Sequence, residues 1–242
     1  MTEFIQHVIN GLSLGSIYAL IALGYTMVFG VLQLINFAHG EVFMIGAFIG
    51  YYSGHALGFD QNPSLAALFT IMAISMVGCA VVGLIIERYA YKPLRSQPRI
   101  NVLITAVGVS LFLQFAGQLR FGSDPKFFPQ VYRPEGTWEF GALKINPLQV
   151  NVLLVSIGLM AILQYIIFKT RVGRAMRAVS FDHNLASLMG INTNQVISLT
   201  FMIGSALAGA AGTLVGLIYP KIEPLMGTLP GLKSFVAAVL GG

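Results

Sequence analysis

The groups that could do chemistry in this chain are few. The first set, Asn36-Phe37-Ala38-His39-Gly40-Glu41, falls between two long apolar runs. A glycine among polar groups at such a point marks a helix break of the kind transporters place beside their substrate path. Non-helical backbone at membrane depth survives only inside protein or along a water-filled cavity. The same residues would serve equally as a cytoplasmic turn, with His39 and Glu41 in water. Asn36, His39, Gly40 and Glu41 are therefore the candidates for a translocation path. They do not make a metal site, since structural zinc takes four ligands, and they lack the nucleophile and orienting partner that hydrolysis needs.

The second set lies between Lys169 and Asn192. Ala178, Phe181, Leu185 and Leu188 recur at spacings of three and four, which predicts a short amphipathic helix over 178–190 with one apolar face. Ser180 or Asp182 can cap its start, and Gly190 can end it. A lipid surface could cover that face, but so short a helix fits better into a groove on a soluble partner.

Other chemistry is missing. The sequence contains no phosphate-binding loop, no H-E-x-x-H, no C-x-x-C and no G-x-S-x-G. The expectation is a protein that is not an enzyme, holds no metal or cofactor, and has no basic, aromatic-rich run for nucleic acid. Acids within spans are the usual mark of ion coupling. Here Glu3, Glu41, Asp60, Glu87, Asp182 and Glu223 all fall at segment ends, leaving uncharged Gln33, Asn36, Gln114 and Gln164 as mid-span polar groups. The driving force must come from a partner, or the chain is a passive pore.

The elements that position these groups follow from composition. Of 242 residues, 56% are apolar and only 10% charged, against about 25% charged in soluble domains. Too few charges exist to coat a soluble globule, so the surface faces lipid. Charge-free runs place spans near 8–35, 42–59, 64–87, 100–119, 147–169 and 195–219. Lipid leaves backbone groups without water, so these runs are helical, and nothing alternates as barrel strands do. The fold class is all-α, a polytopic transmembrane helix bundle forming one domain over 1–242. Gly46, Gly50, Gly54 and Gly58 recur every fourth residue, as do Gly204, Ala208, Gly212 and Gly216. That spacing makes helix-packing seams. The single cysteine, Cys79, can form no internal disulfide. The uncharged Ser234–Gly242 is too short to span, so it is either a re-entrant piece or the first part of a further helix; the second, with a chain incomplete at its C-terminus, is the expectation.

Arg88, Lys92, Arg95 and Arg99 form one basic cluster, and Lys169, Arg171, Arg174 and Arg177 another. The positive-inside rule assigns both loops to the cytoplasm. The nearly neutral, proline-containing loop 120–146 and the N-terminus are then outside. No basic region or small-residue cleavage site marks a removable signal peptide.

Asn10-Gly11-Leu12-Ser13-Leu14-Gly15-Ser16-Ile17-Tyr18-Ala19-Leu20, followed by Ile35–Glu41, resembles the N-terminal half of bacterial branched-chain amino-acid ABC transporter permeases of the LivH type. Arg177–Asp182, Met189-Gly190-Ile191-Asn192 and Ile197-Ser198-Leu199-Thr200-Phe201 resemble the coupling loop of that family and the helix after it. The resemblance covers essentially the whole chain. It implies a permease paired with a second, homologous permease subunit, two cytoplasmic ATP-binding subunits and a periplasmic substrate-binding protein. Ala178, Phe181, Asp182, Leu185, Leu188 and Gly190 would belong to the coupling helix. Arg177 precedes Ala178 where importers commonly carry an acid, a departure within an otherwise matching pattern. Related permeases of similar pattern carry urea and short amides, and an ion-coupled carrier is the other functional class.

Overall fold

Small residues decide how this chain packs. Helix α8 (Thr193–Ile218) buries Gly204, Ala208, Gly209, Gly212 and Gly216. Helices α1 (Thr2–Leu32), α2 (His39–Ala56) and α3 (Leu65–Ile86) all lie against it. In lipid no hydrophobic force draws helices together, so close backbone approach holds such a bundle. The approach is close enough that a Cβ on Gly46 would stand 2.6 Å from Gly209 Cα, and one on Gly212 2.7 Å from Ala47 N. Ser75 Oγ on α3 donates to Gly46 O at 2.8 Å, and Cys79 Sγ to Val42 O at 3.4 Å. The computed structural model describes residues 2–32, 36–95, 97–134, 136, 138–140 and 143–241.

The two glycine ladders play different parts. Gly204 meets α1 at Gly24 O, and Gly212 meets α2. On α2, Gly46 faces α8, but Gly50 receives the Phe128 ring and Gly54 receives Pro129 from the loop after α4. Gly216 also abuts Phe128. Gly58 is not on the ladder at all: it lies beyond the end of α2 with φ +66, a turn conformation that favours glycine. A Gly212→Val substitution is expected to destabilise the bundle by about 1–3 kcal/mol or more, because the contact is backbone to backbone and no rotamer relieves it. Gly108→Ala, where the added carbon meets nothing within 4 Å, is the matched control. Equal melting temperatures for the two variants in detergent would contradict this account.

Helix α4 spans Arg99–Phe121 and α5 Pro147–Lys169. Among the described residues, five segments are long and apolar enough to cross a membrane: Phe4–Leu32, Leu65–Leu94, Ile100–Phe121, Pro147–Lys169 and Thr193–Ile218. The stretch read near 42–59 is α2, which is not apolar enough to count among them. It rises about 27 Å, and most of its residues from His39 to Phe48 are buried. Its last turns, with Tyr51, Tyr52, Ser53 and His55, are only partly covered, and Tyr52 and His55 are exposed. The end of the first expected span, with Gln33, lies outside the described residues, as do Glu135 and Gly242.

Both basic clusters lie at one end of the bundle, where Arg95 Nη1 donates to Asn194 Oδ1 at 2.6 Å. The C-terminal half of α1 is at that end too, forming a groove through Leu23, Met27 and Val31 with Ile167 and Met176. The opposite end holds the loop after α4. There β1 (Lys126–Phe127) pairs antiparallel with β4 (Lys221–Ile222), and β2 (Trp138–Phe140) with β3 (Leu143–Ile145). Lys126 donates to Tyr52 Oη at 3.1 Å and stands over the Tyr51 and Tyr52 rings, and the Tyr52 bond holds its ammonium pKa above the ordinary value.

The helix expected over 178–190 is two helices. Helix α6 runs Arg171–Phe181 and α7 runs His183–Leu188. Asp182 divides them with extended backbone, its carboxylate accepting from Asn184 N at 2.7 Å and Leu185 N at 2.9 Å. A side chain that caps a new helix competes with continuing the old one. Helix α9 (Thr228–Gly241) covers the uncharged stretch from Ser234 to Gly241 and starts before it. It runs antiparallel to α1: Gly231 lies by Tyr25 Oη, while Ser234 Oγ donates to Tyr18 O at 3.4 Å.

Candidate functional site

The break between α1 and α2 folds back into the bundle. The Asn36 side chain makes the turn, accepting from Ala38 N at 3.1 Å, while His39 N donates to Asn36 O. The chain then re-enters helix at the level of Gly24 and Tyr25, about two turns before the end of α1. The His39 ring packs edge-on to Tyr25 at 4.6 Å. It fills a notch that exists because residue 24 is glycine: a Cβ there would lie 2.5 Å from Nε2 and 2.9 Å from Gly204 O. The imidazole faces the Ile21 carbonyl of α1 without closing a hydrogen bond to it.

The turn reading, with His39 and Glu41 in water, is overturned. His39 is 1% exposed and Glu41 3%. Glu87, also at a segment end by number, is 1% exposed. Position at the end of an apolar run does not imply solvent when the helix end itself lies inside the bundle.

The four path candidates diverge. Asn36 Oδ1 accepts from Tyr91 Oη at 3.1 Å, so it faces α3. His39 occupies the notch between α1 and α8. Only Gly40 and Glu41 reach a cavity of about 100 Å³, whose other walls include Tyr25, Phe37, Ser110 and Phe235. Gly40 touches the chain entering α9, where its Cβ would stand 2.7 Å from Gly227 O. The first turn of α2 and the non-helical chain before α9 thus meet glycine to glycine beside a cavity. Ser110 of α4 approaches the Glu41 carboxyl from across it. Tyr25, Ser110 and Gly227 carried no signal in the sequence; Gly227 and Gly231 share the four-residue spacing of the ladders.

The second set gathers at the basic end. Past Ile86, α3 continues as a π-turn (Glu87–Tyr91) and a 3₁₀-turn (Lys92–Leu94). Such wide turns inside helices recur at functional positions. Here the turn presents Tyr91 to Asn36 and turns Glu87 toward α8. Glu87 pairs with Arg95 and accepts from Ser198 Oγ at 2.8 Å. Burial pulls the Arg95 pKa down, against the opposing pull of Glu87.

Helix α6 is fastened to α5 at a glycine, since a Cβ on Gly173 would collide with the carbonyls of Ile166 and Ile167. Arg177 donates to Ile167 O and stacks 5.4 Å over Phe168. Ala186 seats α7 on the body. Gly190, at φ +83, closes α7 with hydrogen bonds from its own N–H to Ser187 O and from Ile191 N to Ala186 O, both 3.0 Å. What remains is uncovered. Phe181 is 88% exposed, Leu188 82% and Met189 83%, with Leu185 beside them. Ala178 is half-buried on the side of α6. Among the described residues, no three His, Cys, Asp or Glu gather as a metal site.

Known proteins are similar to this one in sequence. It is 42% identical over 248 residues to the high-affinity branched-chain amino acid transport system permease protein BraD of Pseudomonas aeruginosa, covering 99% of this chain and 80% of that protein. It is 44% identical over 247 residues to the LivH permease protein of the same kind of system in Escherichia coli K12, covering 99% and 79%. The LivM permease protein of that organism is 27% identical over 250 residues, covering 95% of this chain and 57% of LivM. No solved structure matches. The family described as the permease component of the branched-chain amino acid transport system matches residues 7–242. With five helices among the described residues long and apolar enough to cross a membrane and a family match over nearly its whole length, the chain is a multi-pass membrane protein that belongs to this permease family.

Proposed function

We propose that the chain is the membrane permease subunit of an ATP-driven importer of branched-chain amino acids in the bacterial cytoplasmic membrane, with its N-terminus outside. The observation that carries this reading is the bare apolar cluster Phe181, Leu185, Leu188 and Met189 on a capped, fastened helix pair at the basic end. With no phosphate loop in the sequence, that cluster is where a cytoplasmic ATPase subunit would dock, its groove burying the apolar side chains. A second permease subunit pairs with this one, a reading supported by the likeness to both LivH and LivM. Two ATPase subunits and a periplasmic binding protein complete the assembly.

The packing supplies a route from the docking cluster to the break. Helix α8 starts at Thr193, just past Gly190, and its first turns hold Glu87 and Arg95 through Ser198 and Asn194. From Glu87 the π-turn reaches Tyr91, and Tyr91 holds Asn36. About three turns along, α8 places Gly204 O beside Gly24 and His39. A displacement of α7 therefore acts on both sides of the α1–α2 break through packed, hydrogen-bonded elements.

Copurifying the permease with its partners and measuring which solute raises ATP hydrolysis tests the reading. Leucine, isoleucine or valine, presented with the binding protein, is expected to stimulate. Stimulation by urea or acetamide in their place would reassign the substrate. One observation favours a second class: buried Glu41 is the kind of acid that ion-coupled carriers use. Uptake into vesicles that hold an ion gradient but no ATP would establish that class instead.

A further inference from the structure

A carboxyl group inside a bundle needs a partner, since removing it from water is costly. Glu41 is 3% exposed, yet among the described residues its Oε2 has no hydrogen-bond partner. Among the described residues neither lysine nor arginine lines the cavity it faces; its polar neighbours there are the hydroxyls of Tyr25, Ser110 and Thr228. The remaining walls are glycine backbone, Leu232 and aromatic rings. Phe37 and Phe235 lie 5.7 Å apart, and Tyr25 and Phe235 6.3 Å apart. A cavity with one acid, three hydroxyls and aromatic faces matches a small cation joined to an apolar body. The cavity measures about 100 Å³, while a water molecule takes about 30 Å³. That is room for an ammonium and its neighbouring carbons, not for a whole solvated ion. The location agrees, because the cavity lies where the start of α2, just past its break, meets the non-helical chain before α9.

Resting on the reading of this chain as an amino-acid permease, we propose that Glu41 is the subsite for the α-ammonium of the substrate in transit. Ser110 and Thr228 supply further acceptor oxygens, and Tyr25, Phe37 and Phe235 face the carbon skeleton. Specificity for an amino acid over an uncharged solute would then reside partly in the permease, beyond what any delivering protein selects.

The test uses the assembled transporter in detergent without binding protein, with radiolabelled leucine as probe. In the wild type, 3-methylbutylamine, which keeps the ammonium, is expected to displace leucine, and 4-methylpentanoate, which lacks it, is not. Glu41→Gln, a neutral isostere, is expected to weaken leucine binding roughly 10- to 100-fold, the loss of one charge-assisted contact, while copurification with the partner subunits persists. Wild-type affinity in Glu41→Gln, or displacement by 4-methylpentanoate as effective as by the amine, overturns the subsite while leaving the permease reading intact. If Glu41→Gln fails to assemble, the wild-type competition decides alone. If the wild-type transporter neither binds nor imports leucine, the permease reading itself falls and the subsite with it.

Discussion

Leu188→Asp is expected to leave the protein folded and inserted while abolishing substrate-stimulated ATP hydrolysis. Leu188 is 82% exposed, so its replacement removes no internal contact. In the assembled importer the same side chain would enter the groove of an ATPase subunit. A fully buried leucine is worth about 1.5–3 kcal/mol, and an unpaired aspartate in its place adds a desolvation cost of similar size or greater. Together these amount to a loss of roughly 100-fold or more in productive docking. Leu185→Asp should act in the same way. Gly190→Pro tests the geometry in place of the surface, because φ +83 is closed to proline and the N–H bond to Ser187 O is lost. It should shift α7 relative to α8 and uncouple without touching the apolar cluster. Uptake at the wild-type rate in all three variants would remove the docking role from this segment.

The second large effect is expected at the basic end of α3. Glu87 is 1% exposed and its partner Arg95 18% at the side chain. Removing one partner of such a pair leaves a charge with poor solvation, a loss of about 3–5 kcal/mol, which corresponds to a fall in melting temperature on the order of 10 °C. Glu87→Ala should show it, and should also loosen α8 by freeing Ser198 and Arg95, so that leucine-stimulated hydrolysis falls together with stability. The double variant Glu87→Gln with Arg95→Met removes both charges and should recover much of the lost stability, since a neutral replacement carries no buried-charge penalty. Additive losses from Glu87→Gln and Arg95→Met would show that the two side chains do not act as a pair.

Much of this was legible in one dimension, for reasons that are local. Contact with lipid requires unbroken apolar length, so five of the six charge-free runs coincide with helices long and apolar enough to cross among the described residues, while the run near 42–59 does not. Capping depends on residues a few positions apart, so Asp182 and Gly190 stood out as a start and a stop. Between Ser180 and Asp182 as cap the spacing could not choose. The choice of Asp182 converted one expected helix into two and moved Ala178 and Phe181 onto α6.

The burial of Glu41 was not legible, because burial depends on what lies across from a residue, and those neighbours come from α1, α4 and α9. For the same reason the small-residue ladder on α2 read as a single seam, whereas Gly50 and Gly54 admit Phe128 and Pro129 from a loop. The π-turn that aims Tyr91 at Asn36 left no mark in periodicity. By itself the sequence determined that this chain is a bundle in lipid with a capped amphipathic segment at its basic end, since those properties follow from hydropathy, charge and short-range hydrogen bonds. Only the tertiary structure decided that the acid at the break faces a cavity rather than water, because that depended on two glycines, Gly40 and Gly227, far apart in sequence, letting their backbones touch.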